Sequence, residues 1–126
     1  MPRPQQMRVL VVDDQQSMRG LARQCLTRIG VRQVEMVPSA EDAIISLEKA
    51  KFDLIISDLN MDGMSGTDLL QKVREHPALK ETPFLLATSE CYRPEEGLNE
   101  NSGFVAKPFS VADLKTAIQD IVGKLG

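Results

Sequence analysis

A chain of 126 residues with a net charge of −3 has the length of one domain with its own hydrophobic core and no room for a second. The negative balance argues against nucleic-acid binding, which depends on a basic surface that releases counterions. No apolar run approaches the roughly 20 residues of a membrane span, and no signal peptide precedes the first strand. The two cysteines have neither CxxC nor histidine spacing, so we expect a protein of the reducing cytoplasm, without membrane insertion.

Short apolar runs alternate with segments of helical period along the whole chain. This alternation is typical of an α/β fold in which crossover helices join parallel strands. We expect one domain over residues 1–126, with a flexible N-terminus at 1–7. The predicted strands are 8–12, 33–37, 54–57, 84–87 and 104–106, and the second reads as an edge strand.

Helix boundaries are marked by capping residues. Ser39, Ser65 and Ser110 each precede an acidic residue by three positions, an arrangement that begins a helix by satisfying its free amides. Gly30 is expected to end the first helix. Helices are therefore predicted after each of the first three strands and after the fifth.

One crossover breaks the pattern. Between residues 90 and 103 the segment has few apolar anchors and contains Pro94 and Gly97, both of which oppose helix formation. We expect the helix between strands four and five to be short, frayed or absent.

Acidic residues close two of the apolar runs. Asp13 and Asp14 follow strand one, and Asp58 follows strand three. If these strands are neighbours, two carboxylates ~4 Å apart repel by roughly 4 kcal/mol at an effective dielectric of ~20. Such a cluster needs a cation, and Mg²⁺ (or Mn²⁺) suits carboxylate and phosphate oxygens. A carboxylate held there can also act as a nucleophile toward a phosphoryl group.

Two further strand ends carry reactive polar groups. Thr88 follows strand four, and Lys107 follows strand five. In an open parallel sheet, ligands bind beyond the carboxyl ends of the strands. Any one of these residues could simply end a strand or cap a helix. The conjunction of acids, a hydroxyl and an amine at four strand ends points to one site.

At these residues the chain resembles the receiver domain of bacterial two-component response regulators, and in particular single-domain regulators of the chemotaxis CheY type. The resemblance covers residues 8–124. It implies a flavodoxin-like sheet of order 2-1-3-4-5 with helices on both faces. The matching segments are 9–14 (VLVVDD), 54–61 (LIISDLNM), 87–89 (ATS) and 105–109 (VAKPF).

The resemblance implies a role for each site residue. Asp58 would be the phosphoacceptor, and Lys107 and Thr88 would each contact a phosphoryl oxygen. The peptide bond between Lys107 and Pro108 would be cis. The magnesium ion would be held by Asp13, Asp14, Asp58 and the backbone carbonyl of Asn60.

Two pairs of residues would tune the response. Thr88 and Phe104 stand where family members carry the residues that switch on phosphorylation, although a buried Phe104 is equally well explained as core. Asn60 and Glu90 stand where the family controls access of hydrolytic water, which implies a phosphoryl lifetime of seconds to minutes.

The chain is thus expected to be a signalling module and not an enzyme. Its phosphodonor would be a sensor histidine kinase or a histidine phosphotransfer protein. Because no output domain follows the last helix, it would signal to an unknown downstream protein by contact, or serve as a phosphate sink or adaptor. A receiver that works without phosphate is a further alternative, which the suitable residue at every catalytic position disfavours.

Two alternatives share the topology. An aspartate-nucleophile phosphatase needs an acid two residues beyond its nucleophile, where this chain has Asn60, which cannot donate a proton. A flavodoxin-like cofactor binder needs a phosphate-cradling loop after strand one, where this chain has two acids that would repel phosphate.

Overall fold

The computed structural model describes residues 3–61, 63–88 and 101–123. Five strands in this part of the chain form one parallel sheet of order β2-β1-β3-β4-β5, which confirms the predicted fold class and strand order. The strands are β1 (Arg8–Val12), β2 (Gln33–Val37), β3 (Leu54–Asp58), β4 (Phe84–Thr88) and β5 (Ser102–Ala106). The helices are α1 (Gln16–Ile29), α2 (Ala40–Lys49), α3 (Gly66–Glu75) and α4 (Val111–Val122).

Three strand boundaries differ from those expected. β3 and β4 each extend one residue further, so that Asp58 and Thr88 are the last residues of their strands. β5 begins at Ser102, two residues earlier than expected, because Ser102 and Gly103 pair with Phe84 and Leu85 of β4. Serine and glycine have low strand propensity, and the pairing with a buried neighbour outweighs it.

The helix caps confirm the predicted starts. The hydroxyls of Ser39, Ser65 and Ser110 each accept a hydrogen bond from the amide three residues on, and the last two form complete capping boxes. Gly30 ends α1 with a φ of 117°, a left-handed conformation that glycine adopts without strain.

Hydrophobic layers lie on both faces of the sheet. The layer that contains α1 and α4 includes Leu26, Leu114 and Ile118, all fully buried. The layer that contains α2 and α3 includes Leu69 and Leu70, also fully buried. Because β1, β3 and β4 are covered on both faces, they read in the sequence as nearly continuous apolar runs.

The amino-terminal segment forms a short turn. Pro4–Gln6 is a single turn of 3-10 helix in which Pro4 is buried, and Met7 joins the core. Whether residues 1–7 are flexible as a whole stays a prediction. None of the helices in the described ranges has the length and apolar character needed to cross a bilayer. The crossover helix between strands four and five was expected to be short, frayed or absent over residues 90–103; residues 90–100 lie outside the described residues, and Ser102 and Gly103 belong to β5.

Candidate phosphoryl-acceptor and metal site

The carboxyl ends of four strands meet at one edge of the sheet. In the parallel register, Val12 of β1 lies beside Ser57 of β3, and Asp58 lies beside Ala87 of β4. The next residue of β4 is Thr88, which pairs with Ala106 of β5. This register places the residues that follow each strand at the same level, so their side chains share one edge.

Lys107 connects the acids of β1 and β3. Its Nζ lies 3.1 Å from Oδ2 of Asp13 and 3.1 Å from Oδ1 of Asp58. The backbone amide of Lys107 donates to the carbonyl of Thr88 at 2.9 Å, and the peptide bond to Pro108 is cis. All three charged side chains are at most 11% exposed, so water screens their attraction much less than at a protein surface.

Three carboxylates form an acidic cluster around this pair. Asp13, Asp14 and Asp58 each offer an oxygen, and these oxygens all lie within 4.8 Å of one another. Asp13 and Asp58 are buried, whereas Asp14 is exposed. Three carboxylates against the one ammonium of Lys107 leave two net negative charges. The donor set therefore fits a divalent cation bound by oxygen ligands and water.

Burial governs the ionisation of Asp58. Loss of solvent raises the pKa of its carboxyl, and the negative charge of Asp13 raises it further. The hydrogen bond and positive charge of Lys107, with the backbone amide of Asn60, act in the opposite direction without cancelling the effect of burial. Asp58 thus carries a carboxylate that is less stabilised than an exposed one and gains from an added cation.

A cavity of about 300 Å³ opens onto the site. Besides the expected residues, Gln15 and Met18 line it, and neither was identified from the sequence. The backbone amide of Gln15 donates to Oδ1 of Asp13 at 2.9 Å. An aspartate just before a helix often accepts from the amide two residues on, so this contact could have been foreseen. The cavity is lined by Gln15, Met18, Asp58, Asn60, Lys107 and Pro108.

Arg19 is a second residue that sequence reasoning missed. Its Nη1 donates to the backbone carbonyl of Asp13 at 2.6 Å, from the first turn of α1. The first turn of α1 contains no acidic residue that would mark Arg19 as an ion-pair partner. A hydrogen bond from an arginine to a backbone carbonyl leaves no pattern in the sequence. The bond ties the start of α1 to the loop that carries the acids.

The expected switch residues occupy different environments. Thr88 is 5% exposed at the end of β4. Phe104 is half-buried and packs against the hydrophobic layer that contains α2 and α3. Asn60 is exposed at the rim of the cavity. Glu90 lies outside the described residues, so its role stays a prediction.

Comparison with known proteins agrees with this arrangement. Residues 9–119 match the family model of the response regulator receiver domain. The chain is 34% identical to chemotaxis protein CheY-3 of Vibrio cholerae in an alignment 125 positions long, and the match covers 94% of this chain and 94% of that one. The structure of CheY4 of Vibrio cholerae superposes with a TM-score of 0.81 at 31% identity, covering 92% of this chain and 98% of that one.

A third relative has been solved with a ligand bound. It is the response regulator TrrA of Thermotoga maritima, solved in complex with Mg²⁺ and BeF. It is 26% identical, with a TM-score of 0.80, and the match covers 92% of this chain and 99% of that one. The family match spans most of the sequence, and the strand order and acidic edge agree with it. The chain belongs to the response regulator receiver domain family and is a signalling module of the two-component type.

Proposed function

We propose that this receiver accepts a phosphoryl group on Asp58 from a phosphohistidine of a sensor kinase or a histidine phosphotransfer protein. The observation that carries the proposal is the position of Lys107, whose ammonium contacts both Asp13 and Asp58 at 3.1 Å. Receiver domains interact with histidine kinases and downstream targets, which fits this role. The ammonium supports the proposal because it stands where charge would develop on a transferred phosphoryl group.

The transfer can be written with balanced bonds. A carboxylate oxygen of Asp58 forms a bond to phosphorus, and the bond between phosphorus and the donor imidazole nitrogen breaks. That nitrogen keeps the electron pair and takes up a proton from solvent water. The transition state is loose, with negative charge on three equatorial oxygens. Lys107 would bind one of these oxygens, and the hydroxyl of Thr88 would donate to another. These residues position and neutralise the group without any proton transfer of their own.

Mg²⁺ is the divalent cation that we assign to the acidic cluster, with Mn²⁺ as a substitute. Asp13, Asp14, Asp58 and the backbone carbonyl of Asn60 would hold it, in keeping with the close approach of the three carboxylates. When bound, the ion would neutralise charge on the phosphoryl oxygens. The Mg²⁺ and BeF in the TrrA complex support this choice of ion.

Phosphorylation would be read by protein contact. A phosphoryl group adds negative charge and acceptor oxygens beside Thr88, at the end of β4. We assign Thr88 and Phe104 as the pair that responds, since Phe104 lies on the neighbouring strand and is only half-buried.

The phosphoryl lifetime is a separate prediction. The pair Asn60 and Glu90 leads us to expect autodephosphorylation within seconds to minutes when no phosphatase is present. Decay of the radiolabelled protein, followed on Phos-tag gels, measures it. A phosphoryl group that persists for many hours would show that these two positions do not act as assigned.

Phosphotransfer from a purified phosphohistidine donor tests the proposed function. Phosphoramidate, whose phosphorus–nitrogen bond models phosphohistidine, serves as a second donor. We expect wild type to be labelled with Mg²⁺ and left unlabelled with EDTA, and Asp58→Asn to be unlabelled in both. Glu48→Gln, which removes an exposed acid on α2, should be labelled like wild type. Equal labelling of Asp58→Asn and wild type would reject Asp58 as the acceptor.

A further inference from the structure

The backbone carbonyl of Asp58 is in close contact with two residues outside the strand pairing of β3, Ser57 through its side chain and Gly66 through its backbone. The Asp58 carbonyl oxygen accepts a hydrogen bond from the hydroxyl of Ser57 at 3.0 Å, and Ser57 is fully buried. The amide of Gly66, the first residue of α3, donates to the carbonyl of Leu59 at 3.0 Å. The peptide group between Asp58 and Leu59 is thus held at its carbonyl by the Ser57 hydroxyl and at its amide by the carbonyl of Ala87, at 2.9 Å, and the start of α3 holds the next peptide group along the chain.

Gly66 lies against this peptide group so closely that no side chain fits. A β-carbon added there would overlap the carbonyl oxygen of Asp58 and would lie 3.0 Å from both its carbonyl carbon and Cδ2 of Leu86. The φ of Gly66 is not positive, so its backbone conformation would accept any residue. The glycine is therefore required by the close approach to Asp58 and not by its own dihedral angles.

The neighbouring elements cannot easily move to relieve such an overlap. α3 is anchored by Leu69 and Leu70, which are fully buried. β3 is paired with β1 on one side and with β4 on the other. The overlap would therefore shift the peptide group between Asp58 and Leu59. Such a shift would also move the Asp58 side chain relative to Lys107 and Asp13.

We propose that Gly66 and Ser57 are positioning residues that set the place of the Asp58 carboxylate in the acidic cluster. Gly66 does so by allowing α3 to begin against the Asp58 carbonyl, and Ser57 by binding that carbonyl. Both residues act through Asp58 and neither touches the phosphoryl group. The inference rests on the proposed function, because it takes Asp58 as the acceptor and as a metal ligand.

Gly66→Ala, compared with Gly103→Ala, tests the proposal. A β-carbon at Gly103 would lie 3.2 Å from Cγ2 of Ile121 and 3.6 Å from Cδ1 of Leu85. Gly103 is near the start of β5, at the opposite end of the sheet from Asp58. Both variants add a methyl group that crowds its neighbours. The proposal predicts that only Gly66→Ala displaces the carboxylate of Asp58.

The readouts are the Mg²⁺ dissociation constant of the unphosphorylated protein, by calorimetry, and the melting temperature. We expect Gly66→Ala to weaken Mg²⁺ binding about tenfold or more, as disturbed support of a metal ligand does. Gly103→Ala should lower the melting temperature while keeping the wild-type Mg²⁺ affinity. Mg²⁺ binding by Gly66→Ala no weaker than that of Gly103→Ala would overturn the positioning role and leave the proposed function standing.

Two further outcomes have defined meanings. If Gly66→Ala does not fold, Ser57→Ala decides, because it removes a contact to the same carbonyl without adding an atom. Weakened Mg²⁺ binding in that variant supports the proposal, and wild-type affinity overturns it. If wild type itself binds no Mg²⁺, the proposed function and the positioning role both fail.

Discussion

At the scale of single residues, the carboxylates of the acidic cluster lie close together and repel one another, and two of them are buried. Asp13 and Asp58 are both less than a tenth exposed, and one ammonium serves the two carboxylates. Each buried charge loses hydration, which a single ion pair restores only in part. The cluster is therefore suited to gain a cation and, after that, an anionic phosphoryl group.

Asp58→Asn should stabilise the protein in the absence of metal. Burial raises the pKa of Asp58, so the folded state favours the protonated carboxyl more than the unfolded chain does. Stability is then lost as the pH rises from the ordinary aspartate range through the raised pKa. The neutral amide avoids this loss, so we expect a melting temperature a few degrees higher than that of wild type at neutral pH in EDTA.

Mg²⁺ should reduce the difference in melting temperature between Asp58→Asn and wild type. Wild type gains the free energy of metal binding, and the variant, which lacks one ligand, gains less. Calorimetric melting with and without Mg²⁺ measures both effects, with Glu48→Gln as the control for loss of one negative charge. A lower melting temperature for Asp58→Asn than for wild type in EDTA would contradict the electrostatic interpretation.

Asp14→Asn should weaken metal binding without unfolding the protein. Asp14 is exposed, so its replacement removes no buried charge, and its carboxylate belongs to the acidic cluster. We expect the Mg²⁺ affinity to fall by at least about tenfold, comparable to loss of a supporting ligand group. Calorimetric titration measures this, and Glu48→Gln should bind like wild type. Equal affinity in Asp14→Asn and wild type would exclude Asp14 from the metal site.

At the scale of elements, α3 contacts the sheet at both of its ends: its start lies at the carboxyl end of β3, and its last turn lies at the amino ends of β4 and β5. Its first residue lies against the Asp58 carbonyl, and its penultimate residue, Arg74, reaches the amino ends of β4 and β5. The Arg74 guanidinium donates to the carbonyls of Lys80, Thr82 and Asn101 and to the hydroxyl of Ser102, at 2.6 to 3.2 Å. Burial lowers its pKa. One side chain thus joins a helix, a loop and a strand.

Arg74→Lys should destabilise the fold while leaving the site intact. A lysine ammonium cannot match the planar fork of a guanidinium, so several of the four acceptors would lose their donor. We expect a loss of roughly 1–3 kcal/mol in the free energy of unfolding. Urea denaturation measures this, and Lys72→Gln, at an exposed position of the same helix, should change it by less than about 0.5 kcal/mol.

Mg²⁺ affinity in Arg74→Lys should equal that of wild type, because the Arg74 contacts lie at the amino ends of the strands. A stability equal to wild type would show that the four hydrogen bonds contribute little. Weakened Mg²⁺ binding would show that α3 transmits strain between the two ends of the sheet.

At the scale of the whole molecule, the strand order and the site edge could be predicted because buried parallel strands leave a strong sequence signal. Apolar runs such as that of β1 end at charged residues, and the serine caps mark helix starts independently. On these grounds the sequence predicts that Asp13 and Asp58 lie close together, and both contact the ammonium of Lys107 at 3.1 Å.

Contacts between distant segments could not be predicted in the same way. Arg74 binds residues 27 and 28 positions away, and the start of β5 depends on pairing with β4. The close approach of Gly66 to Asp58 also depends on how α3 packs against the sheet. Local propensity and periodicity carry no information on such distances, so these features require the three-dimensional arrangement.

The most direct test of the central claim is the intact mass of the protein after incubation with acetyl phosphate and Mg²⁺. The account predicts that wild type gains the mass of one phosphoryl group, and that Asp58→Asn or wild type with EDTA gains none. An unmodified wild type, or an equally modified Asp58→Asn protein, would contradict the claim that Asp58 accepts phosphate within this acidic cluster.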